Sequence, residues 1–383
     1  MILLTLKLLI GLFLLEAIGY SIFVLIFSSG RFKAKSVKRL PKVSIIIPAY
    51  NEEKVIRKKL LSIRNLNYPK TLIETVITDD CSDDNTVKIV KKFKEVKLIL
   101  HKTRKGQTSA INTGVRNSTG DYLLISDSDT LFEKNSLINA TKFLDPSVGA
   151  ISGIVSHVFT DNSLFSKISN LSWLLRAPKQ VAESNVDSTL PILTPFTLMS
   201  KKIWEPLNEK IIAQDLNVAL RLRERGYRVI CVPDCKVSIY NPGKFSQVAQ
   251  QRKRQVFGAI KTLQKFQGML FNLKYGLFGL FIFPRYFYHV VLKQLVFGLI
   301  CLLLLINFFF NPFVTLVYIC LFILGVILSD FLIALSLVLN FRERTSIIFY
   351  SLLRLPFLFL MALVNLQALV QSVFKQETAE WQR

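Results

Sequence analysis

The chain has 383 residues, of which 51% are hydrophobic, and its charges are concentrated in one central stretch, so a wholly soluble protein is excluded. Its 49 Lys and Arg outnumber its 26 Asp and Glu, which gives a formal net charge of +23 at pH 7. Such a charge attracts an anionic membrane face, anionic nucleotides or nucleic acid. Because the sequence has apolar segments of membrane length and no nucleic-acid-binding motif, no nucleic-acid partner is expected.

Apolar segments at both ends of the chain predict membrane spans. Residues 3–27 are almost continuously apolar, and they are long enough to cross a hydrocarbon core of about 30 Å. They lack the cleavage site of a secretory signal, so an uncleaved anchor is predicted. Three more spans are predicted at 290–310, 313–339 and 347–373. Two alternatives that change the count stay open: residues 273–288 as an interfacial or re-entrant segment, and an interruption of the last span at Arg354-Leu-Pro356.

The predicted domain order has four parts. An N-terminal transmembrane helix (1–30) precedes a soluble domain (31–243), amphipathic interfacial helices (244–288) and a C-terminal transmembrane region (289–383) of about three helices. Basic residues follow the first span and separate the third from the fourth, so the positive-inside rule places the soluble domain in the cytoplasm of a multi-pass protein in the plasma membrane or its equivalent. They are Arg31, Lys33, Lys35, Lys38, Arg39, Lys42, Arg342 and Arg344.

Short apolar runs in the central stretch alternate with segments of helical periodicity. The run Val43-Ser-Ile-Ile-Ile-Pro48 suits a buried parallel strand, and Asn51 is placed to cap the helix that follows it. Further strands are predicted at 73–78, 96–100 and 121–126, and helices at 86–93 and 108–115. This alternation predicts an α/β domain with a mostly parallel sheet. The apolar side of the first helix carries Val55, Ile56, Leu60 and Ile63.

Carboxylates directly follow two of the predicted strands. Asp79 and Asp80 come after the second strand, and Asp127 and Asp129 come after the strand at 121–126. Because ligands of open α/β sheets bind at the carboxyl ends of the strands, we expect these side chains to converge there. Paired carboxylates suit a hard divalent cation that bridges a pyrophosphate. The sequence thus predicts a site for a nucleotide-activated substrate, although such a turn taken alone is more often only a solvated structural feature.

Six segments, in their order and spacing, resemble the family-two glycosyltransferases. The last of them is similar to the QxxRW motif of membrane-embedded members such as cellulose, chitin and hyaluronan synthases, whose flanking spans this chain also shares. The resemblance covers essentially the whole soluble domain. The segments are Pro48-Ala-Tyr-Asn-Glu-Glu53, Thr78-Asp-Asp-Cys-Ser-Asp-Asp-Asn-Thr86, Lys105-Gly-Gln-Thr-Ser-Ala-Ile-Asn-Thr-Gly114, Gly120-Asp-Tyr-Leu-Leu-Ile-Ser-Asp-Ser-Asp129, Gln214-Asp-Leu-Asn-Val-Ala-Leu-Arg-Leu-Arg-Glu-Arg-Gly-Tyr-Arg-Val229 and Gln251-Arg-Lys-Arg-Gln255.

The resemblance implies a GT-A type domain that transfers a hexosyl or N-acetylhexosaminyl group with inversion at the anomeric carbon. Asp215 would be the general base for the acceptor hydroxyl, and Asp127 and Asp129 would hold the nucleotide and its Mg²⁺ or Mn²⁺. Gln251 and Arg254 would reach the pyrophosphate from an interfacial helix. A uridine diphosphate sugar is the donor that the resemblance favours. The implied substrate-binding residues are Tyr50, Glu52, Asp79, Asp80, Asp127, Gln251 and Arg254.

Four positions depart from the family pattern. Gln214 stands where a Glu usually precedes the base, and Gln255 replaces the Trp of QxxRW. Gln107 replaces a common Lys, and Cys81 replaces a common Gly in the first acidic turn. None of these changes removes a carboxylate that the reaction requires.

Three functions are compatible with this sequence. The first is an inverting, metal-dependent transferase that extends a membrane-associated polysaccharide or glycolipid. The second adds a single sugar to a polyprenyl-phosphate or ceramide-like lipid, and the missing Trp and the small number of C-terminal spans favour it. The third is a catalytically idle membrane scaffold. Glu16, a carboxyl inside the first span, is either part of a site or paired with another span.

Overall fold

The computed structural model describes residues 2–29, 39–158, 163–190, 195–240 and 245–374. The predicted basic positions Arg31, Lys33, Lys35 and Lys38 lie outside these ranges. The eight strands of the described chain are β1 (Val43–Ala49), β2 (Ile73–Asp79), β3 (Val96–Leu100), β4 (Tyr122–Ile125), β5 (Leu131–Phe132), β6 (Val148–Val158), β7 (Thr197–Ser200) and β8 (Arg228–Tyr240).

The α-helices of the same ranges are α1 (Ile2–Phe27), α2 (Ile56–Arg64), α3 (Thr86–Val90), α4 (Gln107–Arg116), α5 (Ser136–Thr141), α6 (Leu164–Leu174), α7 (Arg176–Val186), α8 (Gln214–Glu224), α9 (Phe245–Lys265), α10 (Phe283–Phe287), α11 (Lys293–Phe310), α12 (Pro312–Phe341), α13 (Ser346–Leu352) and α14 (Leu355–Phe374). The chain forms two compact units. The sheet unit holds all the strands with α2 to α5 and α8, and the helical unit holds α1, α6, α7 and α9 to α14. The predicted soluble domain includes the segment of α6 and α7, which clusters with the helical unit.

The strands of the sheet unit form one mixed sheet in the order β3-β2-β1-β4-β7-β6-β8-β5. The strands β3, β2, β1 and β4 are parallel neighbours, and β6 pairs in parallel with β8, whereas β7 and β5 pair antiparallel. Every residue of β1 is buried, as expected for a central strand covered on both faces. The predicted α/β architecture is therefore confirmed.

Glycine at position 114 lets α4 lie directly on the centre of this sheet. A Cβ atom added to Gly114 would lie 2.7 Å from Ile46 Cγ2 of β1 and 3.3 Å from Thr78 Oγ1 of β2. A side chain at this position must therefore displace the helix or the strand. The close approach fixes the distance between α4 and the sheet, and with it the position of the first turn of α4 at the sheet edge.

Asn51 does not cap the first helix of the sheet unit, contrary to the prediction. The helix α2 begins at Ile56, after Val55, which makes no side-chain capping bond. Asn51 instead adopts a left-handed conformation with φ of 55°, and its Oδ1 accepts a hydrogen bond from the Asp83 amide at 3.1 Å. The asparagine thus joins the loop after β1 to the loop after β2.

Four helices of the described ranges are long and apolar enough to cross a membrane: Ile2–Phe27, Phe278–Phe310, Pro312–Phe341 and Leu355–Ser372. The second begins earlier than predicted, because π-helical turns at Phe278–Ile282 and Tyr288–Leu292 continue into α11. Residues 278–288 therefore continue into α11, and the predicted interfacial position of 244–288 stays a prediction. The predicted span 347–373 is interrupted, since α13 ends at Leu352 and α14 begins at Leu355.

Small and polar residues join α1 to α12 in the helical unit. A Cβ on Gly325 would meet Leu14, so the two helices touch at that level. Farther along, the Ser21 and Ser329 hydroxyls are 2.8 Å apart, and Asn340 donates to Ser28 Oγ at 2.8 Å. Close packing and interhelical hydrogen bonds of this kind stabilise helix pairs in a lipid environment, where the hydrophobic effect does not drive helices together.

Candidate active site

Three neighbouring parallel strands bring the predicted acidic residues to one edge of the sheet. Ala49 at the end of β1 pairs with Asp79 of β2, and Ile46 pairs with Ile125 at the end of β4. Asp127 follows two residues later. Because neighbouring strands are about 4.8 Å apart, the two acidic loops lie on either side of β1, about 10 Å from each other. This edge is where ligands of open α/β sheets bind.

The turn after β4 presents the predicted metal ligands. The Thr130 amide lies 3.4 Å from the carbonyl oxygen of Asp127, so residues 127–130 form a tight turn. The Asp127 carboxylate accepts a hydrogen bond from Gln107 Nε2 at 2.9 Å. The Asp129 carboxylate is partly exposed, and within the described residues it has no hydrogen bond or ion pair. Two carboxylate groups therefore project from one short turn.

Lys59 lies beneath this turn and was not predicted as a site residue. The side chain is fully buried, and its Nζ donates a hydrogen bond to Ser126 Oγ at 2.6 Å and lies 3.7 Å from the centre of the Phe132 ring. Burial lowers the pKa of Lys59 to about 7, although the carboxylates of Asp127 and Asp129 oppose the shift. The sequence signal was a charged residue on the apolar side of α2.

Asp79 ends β2 and organises the loop that follows. Its carboxylate accepts hydrogen bonds from the amide and the hydroxyl of Ser82, at 3.0 and 2.6 Å. Between them, Cys81 has a φ of 68°, which explains why glycine is common at this position of the family. The turn is therefore held by local hydrogen bonds at the place where the nucleoside is expected.

Asp80 is buried and connects three segments. Its carboxylate oxygens accept hydrogen bonds from the amides of Lys105 and Gly106, at 2.8 and 2.7 Å. His101 Nδ1 lies 2.8 Å from the same carboxylate. Asp80 thus fixes the loop that leads into α4, and its predicted contact with the nucleoside stays a prediction.

Tyr50 and Glu52 follow β1 between the two acidic loops. The guanidinium of Arg104 lies over the Tyr50 ring, 4.1 Å from its centre, so an aromatic face and a cation meet at this edge. Glu52 is buried, and its backbone amide donates to Thr86 Oγ1 at 2.7 Å. Both residues lie at the expected edge of the sheet, and their contacts with substrate stay predictions.

The first turn of α4 connects the acidic turn to the predicted general base. Gln107 binds Asp127, and the next residue, Thr108, has its Oγ1 3.4 Å from Gln214 Nε2. Gln214 directly precedes Asp215, which lies in the first turn of α8 and accepts a hydrogen bond from the Leu216 amide at 2.8 Å. Asp127 and Gln214, the residue before Asp215, therefore both contact the first turn of α4.

Gln214 has a structural reason to be an amide rather than a carboxylate. Its Nε2 donates hydrogen bonds to the carbonyl oxygens of Asn208 and Ile211, the latter at 2.8 Å. A glutamate has no donor for these carbonyls when it is ionised. The amide thus closes the turn that leads into α8.

Gln251 and Arg254 lie on α9 in the helical unit. Gln251 is partly buried and Arg254 is exposed. Arg252 is anchored instead, since its Nε donates to Asn365 Oδ1 of α14 at 3.0 Å. The side chain of Arg254 is exposed, and its predicted role at the pyrophosphate stays a prediction.

The residues present fit a magnesium or manganese ion. No cluster of three or more His, Cys, Asp or Glu side chains with metal-ligand geometry occurs among the described residues. Mg²⁺ commonly uses only one or two carboxylates and completes its shell with substrate phosphates and water. Asp127 and Asp129 supply such a pair of hard oxygen ligands.

Comparisons with known proteins bear on the family and the fold of the chain. Residues 44–205 match the family model "Glycosyl transferase family 2". The chain is 30% identical over 284 residues to "Probable glycosyltransferase YdaM" of Bacillus subtilis (strain 168), covering 69% of this chain and 67% of the relative. It is 26% identical over 243 residues to "Poly-beta-1,6-N-acetyl-D-glucosamine synthase" of Staphylococcus aureus (strain COL), covering 60% of this chain and 57% of that protein.

A solved structure shares the fold. It is "Mannosyltransferase PcManGT from Pyrobaculum calidifontis in complex with GDP-Man and Mn2+", with a TM-score of 0.70 and 20% sequence identity, and the match covers 97% of this chain and 100% of that one. The fold is thus of the GT-A type, with apolar helices flanking the α/β domain. With the family model and the Bacillus relative, these observations show that the chain belongs to glycosyl transferase family 2.

Proposed function

We propose that this protein is a membrane-bound, inverting glycosyltransferase that moves a sugar from a nucleotide-diphosphate donor to a membrane-associated acceptor. The observation that supports it most is the path from Asp127 through Gln107 and Thr108 to Gln214 and Asp215. Along this path, the turn proposed for a metal-bound diphosphate and the residue that precedes the proposed base both contact the first turn of α4. Sugar transfer requires both the turn that holds the diphosphate and the base that activates the acceptor.

Asp215 is the proposed general base. An acceptor hydroxyl must lose its proton as it attacks the anomeric carbon, and a positioned carboxylate contributes about 10²–10⁴-fold to such a step. The hydrogen bond from the Leu216 amide fixes the carboxylate in the first turn of α8. With one base and direct displacement, the anomeric configuration inverts.

Asp127 and Asp129 are the proposed ligands of Mg²⁺ or Mn²⁺. A bound cation there stabilises the negative charge of the departing diphosphate. Gln107 orients Asp127 by a neutral hydrogen bond, which adds no positive charge to this end of the site. Tyr50, Glu52, Asp79 and Asp80 form the proposed nucleoside side of the site.

Relatives guide the choice of donor and acceptor. One relative is named for the synthesis of a poly-N-acetylglucosamine, and the structural neighbour binds GDP-mannose. We propose a hexosyl or N-acetylhexosaminyl donor, with a UDP-sugar tested first and a GDP-sugar second. The proposed acceptor is a growing polysaccharide or a glycolipid.

Single addition to a lipid is the second candidate function. Gln255 occupies the position of the Trp in QxxRW, whose aromatic face often lines the acceptor path in the polymerising members that the sequence resembles. Its absence favours an enzyme that transfers one sugar to a polyprenyl-phosphate or ceramide-like acceptor.

The proposed location is the plasma membrane or its equivalent, with the four apolar helices crossing it and the sheet unit in the cytoplasm. Arg39 and Lys42 beyond α1, with Arg342 and Arg344 after α12, support this orientation. Cytoplasmic exposure gives the site access to nucleotide sugars.

Purified protein in native-lipid nanodiscs with Mn²⁺ tests the proposal. A panel of UDP- and GDP-sugars is added, and nucleotide diphosphate release and product mass are measured beside Asp215→Asn. Turnover that falls at least 10²-fold in the variant, while nucleotide binding persists, supports the transferase. A ladder of products or a single addition then separates the two acceptor classes. If no donor gives turnover and no nucleotide binds, only the catalytically idle scaffold remains.

A further inference from the structure

Two large apolar side chains are exposed in the segment that connects α9 to the second candidate span. Within residues 266–277, Phe271 is 72% exposed and Leu273 is 77% exposed. Leu100, an exposed apolar side chain of the sheet unit, reaches 51%. Both residues precede the span, which begins at Phe278, so they do not belong to a helix face inside it. Residues 271–274 are called the tip below.

Hydrogen bonds hold the tip in this position. The Phe271 amide donates to the carbonyl oxygen of Gly279 at 3.0 Å. Asn272 Nδ2 donates to the carbonyl oxygen of Gly268 at 2.9 Å, and Asn272 Oδ1 accepts from the Lys274 amide at 3.0 Å. A Cβ atom on Gly279 would clash with the carbonyl oxygen of Asn272, so glycine lets the tip lie against the first turn of the span. The exposed side chains therefore belong to a fixed loop.

Phe271 has a backbone conformation that separates buried from exposed apolar residues. Its φ of 53° lies in the left-handed region, which a bulky side chain rarely adopts. Such a conformation persists only where the surrounding structure enforces it, and these places cluster at sites of function. Met269 before it and Phe278 after it are buried. The chain thus turns Phe271 away from the core that takes up its neighbours.

The tip lies in a long stretch of sequence without acidic residues. Between Asp234 and Asp330 there is no Asp or Glu, whereas there are ten Lys and Arg. Three of these, Lys261, Lys265 and Lys274, are exposed on the last two turns of α9 and in the tip. Their ammonium groups lie 5.9, 6.0 and 5.7 Å from the centres of neighbouring aromatic rings. An apolar stem along apolar surface with a charged end in water is typical of lysines at a membrane interface.

Other cations of this stretch already have partners inside the helical unit. Lys293 Nζ lies 3.2 Å from the carboxylate of Glu16 of α1, and Arg285 Nε lies 3.6 Å from it. Glu16 is therefore paired with another candidate span. Arg252 Nε donates to Asn365 Oδ1 at 3.0 Å. The ammonium groups of the three exposed lysines, in contrast, make no hydrogen bond or ion pair within the part of the chain that the structure describes.

We propose that the tip inserts Phe271 and Leu273 among the acyl chains of an anionic lipid surface, while Lys261, Lys265 and Lys274 bind its phosphate headgroups. Large apolar side chains beside lysines are the composition of segments that lie in a membrane interface. Anionic lipids attract basic residues that adjoin a span. The predicted interfacial position of 244–288 requires no particular lipid, whereas this surface selects negative headgroups.

The apolar surface continues from the tip into the span, which indicates a lipid rather than a protein partner. Leu277, Leu280 and Phe281 are exposed at the end of the loop and in the first turn of the span. Side chains that adjoin the lipid-facing side of a span meet the same bilayer. The inference rests on the proposed membrane insertion but not on sugar transfer.

Tryptophan substitution tests the insertion of the tip. The variants are Phe271→Trp, Leu302→Trp inside the span and Leu100→Trp in the sheet unit, each in nanodiscs that contain phosphatidylglycerol and brominated acyl chains, without metal or donor. The quenching of the three native tryptophans, measured in the parent, is subtracted. The added fluorescence should be quenched about twofold in Phe271→Trp and Leu302→Trp, since an interfacial side chain reaches the acyl boundary, and should be unchanged in Leu100→Trp.

The two variants of the helical unit separate the possible failures. Quenching in Leu302→Trp without quenching in Phe271→Trp overturns the role of the tip and leaves the span in place. Absence of quenching in both refutes the proposed membrane insertion and this inference with it.

A second measurement tests the choice of an anionic lipid. The full-length protein in neutral detergent receives equal amounts of phosphatidylglycerol and phosphatidylcholine with the same chains, and native mass spectrometry gives the ratio of the lipids retained. The triple variant Lys261→Gln/Lys265→Gln/Lys274→Gln should lower this ratio by about fivefold or more, since one lysine at an anionic surface contributes about fivefold. The matched triple variant Lys88→Gln/Lys91→Gln/Lys92→Gln, which removes three exposed lysines of the sheet unit, should leave the ratio unchanged.

An unchanged ratio in the first triple variant, or an equal fall in the second, overturns the choice of an anionic lipid. Because neither measurement contains a donor, a failure of sugar transfer refutes only the proposed function, and a failure of lipid selection refutes only this inference.

Discussion

Replacement of the buried Lys59 by Met tests how much the burial of the Lys59 ammonium costs the fold. Methionine has a similar length and fills the apolar surroundings of the side chain without a charge. It loses the hydrogen bond to Ser126 and the contact with the Phe132 ring. These losses do not depend on pH, whereas the cost of burying the ammonium does. The difference between variant and parent should therefore change with pH in a defined direction.

The sign follows from the pKa of Lys59, which burial lowers from 10.5 to about 7. Below pH 7 the lysine is protonated in both folded and unfolded chains, and the full penalty of roughly 5 kcal/mol applies. Between pH 7 and 10.5 the unfolded chain holds a proton that the folded chain has released, so the parent gains stability as the pH rises. At pH 9 about 2 kcal/mol of the penalty remains.

Thermal unfolding of metal-free, nucleotide-free protein in nanodiscs measures the effect. The stability gap between Lys59→Met and the parent should narrow by about 2.5 kcal/mol between pH 6.5 and 9, which corresponds to about 5–10 °C in melting temperature for a domain of this size. Lys58→Met, on the exposed side of α2, is the matched control and should show no such change. Parallel curves for Lys59→Met and the parent across this pH range would refute the reasoning.

Two further predictions concern the same site. Asp129→Asn removes a carboxylate that makes no hydrogen bond or ion pair among the described residues. Mn²⁺ affinity, measured by calorimetry with nucleotide present, should therefore fall at least tenfold while the melting temperature stays within about 2 °C. Unchanged Mn²⁺ affinity would exclude Asp129 as a ligand. Gln214→Glu replaces the donor to the Asn208 and Ile211 carbonyls with an acceptor, so it should destabilise the protein by about 1–3 kcal/mol in chemical denaturation; an increase in stability would contradict the role assigned to this amide.

The sequence predicted the sheet edge because its signals are local. Buried strands such as β1 are continuous apolar runs, and the carboxylates of Asp79 and Asp127 follow their strands directly, so topology alone brings them together. The same reasoning failed at Asn51, where a polar residue before a helix suggests a cap. Its left-handed conformation and its bond to the Asp83 amide depend on a loop that lies 32 residues away in the chain.

Long-range pairing also explains what was missed in the helical unit. The interruption of the last predicted span at Arg354-Leu-Pro356 was an open alternative, and the helix is interrupted there. The pairing of Arg354 with Asp330 was not predicted, because no periodicity encodes it. In the same way, the partner of Glu16 could not be chosen from several basic residues. The sequence marks such charges as costly, but only the packed helices show which of them are matched.

Lys59 and Gln107 together explain why the site can lack the lysine that is common at position 107 of the family. Gln107 holds Asp127 through a neutral amide, and burial lowers the pKa of Lys59 to about 7. Gln107 therefore adds no charge beside Asp127, and the charge of Lys59 is weakened near neutral pH. A lysine at position 107 would add a permanent cation beside Asp127 and compete with a bound metal. The substitution thus suits the proposed metal site, while Lys59 holds Ser126 at the end of β4 by a hydrogen bond.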